Sequence, residues 1–182
     1  ARAGIVHRLD KDTTGLMVVA LTEIAQTHLV RQLQERTVTR EYVALCHGFL
    51  YGADCIDMPI GRDARVPVRM ATQNAIAPRS ARTHYEALEH GLFDRGLAVS
   101  SVRCRLETGR THQIRVHLSS KGHPLLGDEI YGGKALAGAQ RQMLHARALA
   151  FEDPRTNKTV SFTMDPPADF IAVYEQIQWK TK

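Results

Sequence analysis

Thr37-Val-Thr-Arg-Glu-Tyr-Val-Ala-Leu-Cys-His47 alternates along its whole length. Val38, Arg40, Tyr42, Ala44 and Cys46 fall on one side of an extended chain, and Thr39, Glu41, Val43, Leu45 and His47 on the other. A period of two predicts a strand. Upstream the period changes: from Glu23 to about Arg36, Ala25, Leu29 and Leu33 recur every fourth residue, behind Thr22 as a cap, and predict a surface helix. Before it, Leu16-Met-Val-Val-Ala-Leu21 is a short apolar run that predicts a buried strand. Downstream, Cys55 to Ala81 is rich in proline and arginine without a sustained period and predicts loops or short hairpins. Ser80–Glu89 and Leu97–Glu107 predict strands across a turn at Gly91–Gly96, and Thr111–Lys121 predicts a short helix stopped by Gly122 and Pro124. Leu144–Phe151 and Thr159–Met164 flank the turn Asp153-Pro-Arg-Thr-Asn157, and a last helix is expected from about Asp169 to Ile177. The fold class is therefore α/β of the α+β type, with a mixed, largely antiparallel sheet and flanking helices.

The composition suits such a domain. The 182 residues are 43% hydrophobic and 24% charged, ordinary values for a globular chain that needs no disulfide or metal to fold. Val43 to Ala53 carries no Asp, Glu, Lys or Arg, but His47, Gly48 and Gly52 break it far short of the roughly 18 apolar residues of a membrane helix. Cys46, Cys55 and Cys104 are an odd number without a C-x-x-C pair, which points to a reducing, cytoplasmic setting. The formal charge of +5 makes a polyanionic partner reasonable. The chain opens without Met and enters a dense motif within ten residues, so it is expected to be a piece of a longer protein.

Three places could carry chemistry. His7-Arg-Leu-Asp-Lys-Asp-Thr-Thr-Gly15 sets two carboxylates, two permanent cations and a histidine in one turn, either a catalytic carboxylate balanced by a guanidinium or a solvated charged turn. Leu106-Glu-Thr-Gly-Arg-Thr-His-Gln-Ile-Arg-Val-His-Leu118 places Arg110, His112 and Arg115 around a helix start, suited to gripping phosphate or carboxylate oxygens. Arg115, between Ile114 and Val116, is expected to be partly buried and so to need an anionic partner. Tyr42, with basic Arg40 on the same strand face, could stack on a base, act in proton transfer or be a core residue. The histidines lack zinc-ligand spacing, and G-x-G-x-x-G, P-loop and G-x-S-x-G signatures are absent.

Together these segments resemble the RluA/RluD-type pseudouridine synthases that act on ribosomal RNA. His7 to Gly15 is similar to that family's catalytic motif, with Asp10 at its essential aspartate. Thr39-Arg-Glu-Tyr-Val-Ala44 is similar to its second motif, with Tyr42 at the active-site tyrosine. Leu106 to Arg115, continuing through His123-Pro-Leu-Leu-Gly-Asp-Glu-Ile-Tyr-Gly132, is similar to its third, and Leu144-His-Ala146 to its closing strand. The resemblance implies an isomerase without a cofactor: uridine is cut at its glycosidic bond, and the uracil is turned and rejoined through C5.

It further implies Asp10, Tyr42 and Arg115 as catalytic residues, with Arg115 paired to Asp10 and Ile114 packed under the uracil. Arg8 would enter the space left by the flipped nucleotide; Arg40, Arg110 and His112 are the further substrate-binding candidates, and Arg103 and Arg105 candidates for phosphate contact. The expected partner is RNA of the large ribosomal subunit, met by a cytoplasmic monomer without metal. Residues 1–182 would form the catalytic domain, with its first strands and an RNA-binding domain of the S4 type lying outside them. A non-catalytic RNA-binding module and a metal-dependent hydrolase are the competing readings.

Overall fold

The computed structural model describes residues 4–180. In chain order the elements are β1 (Thr14–Gly15), α1 (Glu23–Gln34), β2 (Thr39–His47), β3 (Ala53–Asp57), β4 (Ile60–Asp63), β5 (Met70–Ala71) and β6 (Ala75–Arg79). There follow β7 (Arg82–Phe93), β8 (Leu97–Leu106), α2 (Gln113–Ser120), β9 (Leu144–Glu152), β10 (Thr159–Thr163), α3 (Ala168–Glu175) and β11 (Gln178–Trp179). The main sheet has eight strands in the order β1-β9-β2-β8-β7-β11, with β10 added to β9 and β3 to β7. All its pairings are antiparallel except β1 with β9, so the expected mixed, largely antiparallel sheet is present. Strands β5-β4-β6 form a second, three-stranded sheet out of the proline- and arginine-rich stretch.

The alternation of β2 divides the core. Tyr42, Ala44 and Cys46 pack with Val102, Cys104, Ile114 and Leu118 on one face, where α2 lies. Val43 and Leu45 pack on the other with Val99, Phe170 and Val173, beneath α3. Arg103 and Arg105 alternate with Val102, Cys104 and Leu106 on β8, which sets them on the face opposite α2. The third cluster, Ile60, Ala81, Val116 and Tyr131, seats the small sheet against α2.

Thr22 caps α1 as expected, accepting the Ala25 N–H at 3.2 Å. The buried Gln32 locks that helix to the sheet: its amide donates to Glu152 O at 2.9 Å and accepts from Glu152 N at 2.8 Å. One expectation is corrected. Leu16–Leu21 is not a buried strand; Leu16 N–H still reaches Ala146 O, but beyond it, among the described residues, only Val19 makes a bridge, to Ile5, and Leu21 is 94% exposed. The cause is competition for an edge: β10 pairs with residues 148–152 of β9 and leaves β1 only His145 and Ala146.

Candidate active site

The loop from His7 to Thr13 is clamped from below by the approach to β9. Thr13 N–H closes a turn onto Asp10 O at 3.0 Å. Gln142, 5% exposed, donates its amide to Lys11 O at 2.6 Å and to Thr13 Oγ1 at 3.2 Å. Arg141 donates to Asp12 O at 3.1 Å while pairing with Asp169 in the first turn of α3 at 2.7 Å. The fully buried His145 lies 3.0 Å from Met164 O through Nε2 and 2.9 Å from Thr14 Oγ1 through Nδ1. A carbonyl only accepts, so Nε2 carries the proton and Nδ1 takes the Thr14 hydroxyl proton. Burial holds the His145 pKa below its usual value, which suits that neutral form. Gly15 is dictated by close approach: with φ at +112°, a Cβ there would stand 2.2 Å from Ala146 O.

Asp10 projects from this loop to the start of α2. His112 N–H points at Asp10 Oδ1 at 3.4 Å, and Arg115 Nη1 stands 3.5 Å from Oδ2. A helix N-terminus and a guanidinium therefore both balance the carboxylate. The buried Arg115 has a second and tighter partner, Asp128, which accepts from Nε at 2.7 Å and from Nη2 at 2.8 Å in a two-pronged contact. Burial opposes the charge on Arg115, but the bonds and charge of Asp128, with Asp10 behind them, raise its pKa. Its guanidinium also lies over the Tyr131 ring, 5.1 Å from the centroid. Tyr131 Oη accepts the Met70 N–H at 2.9 Å and meets His112 Nδ1 at 2.7 Å. Burial pushes the Tyr131 phenol up to about 12 and the His112 imidazole down, so neither is charged at neutral pH.

In front of Asp10 opens a cleft of about 510 Å³. Its apolar wall is Leu9, Tyr42, Leu106, Ile114 and Leu144; its polar end is made by His7, Arg40, Glu107, Gly109 and Arg110. Tyr42 is 6% exposed, and burial pushes its phenol up to about 12. The alternation of β2 sets the tyrosine into this wall on the same face as Ala44 and Cys46. Arg8 is exposed on the cleft lining. Arg110 donates from Nε to Ser80 O at 2.9 Å, and its own N–H goes to Gln113 Oε1. The fold thus gathers Arg8, Asp10, Arg40, Tyr42, Arg110 and Ile114 around one cleft. His112 offers Asp10 its backbone and turns its imidazole to Tyr131, while Arg115 stands behind the carboxylate. Arg103 pairs with Glu86 on the opposite face, away from this cleft.

The family profile described as RNA pseudouridylate synthase matches residues 1–120. The chain belongs to the RNA pseudouridylate synthase family. Ribosomal large subunit pseudouridine synthase D of Vibrio parahaemolyticus is 47% identical over 196 residues, which cover 100% of this chain and 58% of that protein. The protein of the same name from Nitrosomonas europaea is 47% identical over 186 residues, 97% of this chain and 52% of its own length. The chain thus spans little more than half of these curated relatives. Among solved structures, human RNA pseudouridylate synthase domain containing 1 superposes with a TM-score of 0.79 at 34% identity, over 97% of this chain and 74% of that one. Human RNA pseudouridylate synthase domain containing 4, 22% identical over 97% of this chain and 76% of its own, shares the fold with a TM-score of 0.73.

Within this pseudouridylate synthase fold, the residues that sequence reasoning left without a role are Asp128, Tyr131, Gln142 and His145. Asp128, Tyr131 and His145 lie inside the family's motifs, and the demand of a buried arginine for a counterion was the signal for the first of them. Gln142 and His145 gave no such signal, because their work is to bond backbone and hydroxyl groups of a loop some 130 residues away in sequence.

Proposed function

We propose that this chain carries the catalytic centre of an RNA pseudouridine synthase that isomerises uridines of large-subunit ribosomal RNA, with Asp10 as the catalytic carboxylate. The observation that carries the reading is the placement of Asp10. It stands between a buried guanidinium and a helix N-terminus, beside a cleft with one apolar wall and within the size range of small-ligand sites. The family and the names of the relatives supply the substrate class.

The reaction breaks N1–C1′ of uridine and forms C5–C1′. The proton on C5 leaves to an acceptor, N1 gains one, and no atom is gained or lost overall. Asp10 acts either by attack on C1′ or by removing a sugar proton on the way to a glycal; both start from the carboxylate. Arg115 and the α2 N-terminus hold it toward the cleft. Tyr42 and Ile114 supply the flat and aliphatic surfaces for a detached base. With its pKa near 12, the Tyr42 phenol is protonated at neutral pH, so it relays the C5 proton only by passing its own onward as it accepts. Arg8, exposed on the cleft lining, is placed to fill the gap left by the extruded nucleotide. Arg40 and Arg110 bind the strand at the polar end, and His112 serves through its N–H on Asp10. The enzyme works as a monomer in the cytoplasm without metal or cofactor; no helix among the described residues is long and apolar enough to cross a membrane.

Large-subunit ribosomal RNA tritiated at uridine C5 tests this, because the label must leave when C5 becomes the glycosidic carbon. The wild-type chain should release tritium and Asp10→Asn should release none above background. Release by Asp10→Asn at the wild-type rate removes Asp10 from the chemistry. RNA binding by the wild type without any release returns the chain to a non-catalytic module.

A further inference from the structure

Two buried arginines flank the site, and their situations are opposite. Arg115 has two carboxylates. Arg40, on the same β2 face as Tyr42 and only 7% exposed, has none among the described residues. Its Nη2 donates to the carbonyl of Glu107 at 3.3 Å, and its Nε is buried without any hydrogen-bond partner there. The Glu107 carboxylate is turned away to Arg36, Arg82 and His84. His7 offers no negative charge either: its Nε2 accepts the Val18 N–H at 3.0 Å, and burial together with the charge of Arg40 brings its pKa down to about 4.

The recess is also shaped for this side chain. Glu107, Gly109 and Arg40 line the same end of the cleft, and a Cβ at position 109 would stand 2.7 Å from Arg40 Nη1. Glycine there lets the guanidinium lie against the backbone. A buried cation without a counterion burdens the folded chain, and the burden is lifted when an anion arrives. A neutral carbonyl of the base would not balance the charge, whereas a phosphodiester presents two oxygens that fit a guanidinium edge.

We propose that Arg40 is the receptor for one phosphodiester of the RNA strand beside the target uridine, an assignment that rests on the RNA-modifying reading above. The base occupies the Tyr42–Ile114 wall and the strand leaves it over Arg40 and Gly109. Arg40 then acts on binding and register rather than on bond breaking, and its cost to the free protein is offset only in the complex.

Binding of tritiated large-subunit ribosomal RNA by the wild type, Arg40→Met and Gly109→Ala, measured across a salt series, decides the matter. Both variants should bind about ten- to a hundred-fold more weakly at low salt, as expected for one lost charge-assisted contact. The log–log salt dependence of Arg40→Met should be shallower by about 0.7 to 0.9, the amount carried by one phosphate. Its melting temperature should equal or exceed that of the wild type, because an unpaired buried charge is gone. Gly109→Ala keeps the charge but displaces it, and covers the case in which Arg40→Met fails to fold. An unchanged salt slope in Arg40→Met, or wild-type affinity in Gly109→Ala should the first not fold, overturns the assignment. If the wild type binds with the expected slope change but releases no tritium, the catalytic reading fails and the phosphate site stands. If it releases tritium and the slope does not move, the phosphate site fails and the catalytic reading stands.

Discussion

Asp128 decides how Arg115 meets Asp10. The guanidinium has one rigid fork, and Asp128 occupies the Nε–Nη2 edge at 2.7 and 2.8 Å, leaving Nη1 to face Asp10 at 3.5 Å. Removing the charge of Asp128 should let the fork rotate onto Asp10 and draw that carboxylate away from the cleft. Asp128→Asn is therefore expected to lower kcat at least ten-fold while KM for RNA stays within a few-fold. A melting experiment should show a loss of about 3 kcal/mol, typical of a buried ion pair deprived of one partner. A variant that melts lower but keeps its kcat would reduce Asp128 to a structural counterion. The sequence foretold that Arg115 would be buried and would need an anion. It did not foretell that the nearer anion would be Asp128, because the short loop through Leu125 and Leu126 that brings it under α2 has no periodic signature.

The loop that carries Asp10 is an element only because other elements hold it. Arg141, Gln142 and His145 fix four groups from Lys11 to Thr14, and His145, tied at its other nitrogen to Met164 O, can do so only while its imidazole is neutral. His7, His117 and His145 all have pKa values lowered chiefly by burial, His7 to about 4. Their unfolded value is near 6.5, so between about 4 and 6.5 the unfolded chain binds more protons than the folded one. Stability contributed by these groups is then complete above about pH 6.5 and is lost as the pH falls through the window. The melting temperature is expected to drop steadily from pH 7 to pH 5. His7→Gln, whose amide oxygen can take the same Val18 N–H, should flatten part of that drop; an identical pH profile would show that His7 does not titrate as described. Strand β2 was legible element by element because period two is local. The early end of β1 was not, since it depends on β10 claiming the same edge from the other end of the chain.

At the scale of the molecule the net charge of +5 is less informative than where the cations stand. The three-stranded sheet carries exposed Arg62 and Arg79, with Arg65 on its connecting turn, and Asp63 is spent on the backbone of that turn. It is moored to the site through Met70 N–H on Tyr131 and through Ser80 O under Arg110. Arg103 and Arg105 lie on the face opposite α2, and Arg103 is paired with Glu86. An RNA strand entering the cleft should therefore feel the small sheet and not the far face. The triple variant Arg62→Gln, Arg65→Gln, Arg79→Gln is expected to bind RNA more weakly, with a salt dependence shallower by about 2 for three lost phosphate contacts. Its turnover at saturating RNA should be close to that of the wild type, and its stability should lie within about 0.5 kcal/mol per exposed site. The double variant Arg103→Gln, Arg105→Gln removes almost as much charge from the other side and should leave the slope unchanged. Equal losses from the two faces would mean that the strand is drawn by net charge alone and that the small sheet is no part of its path.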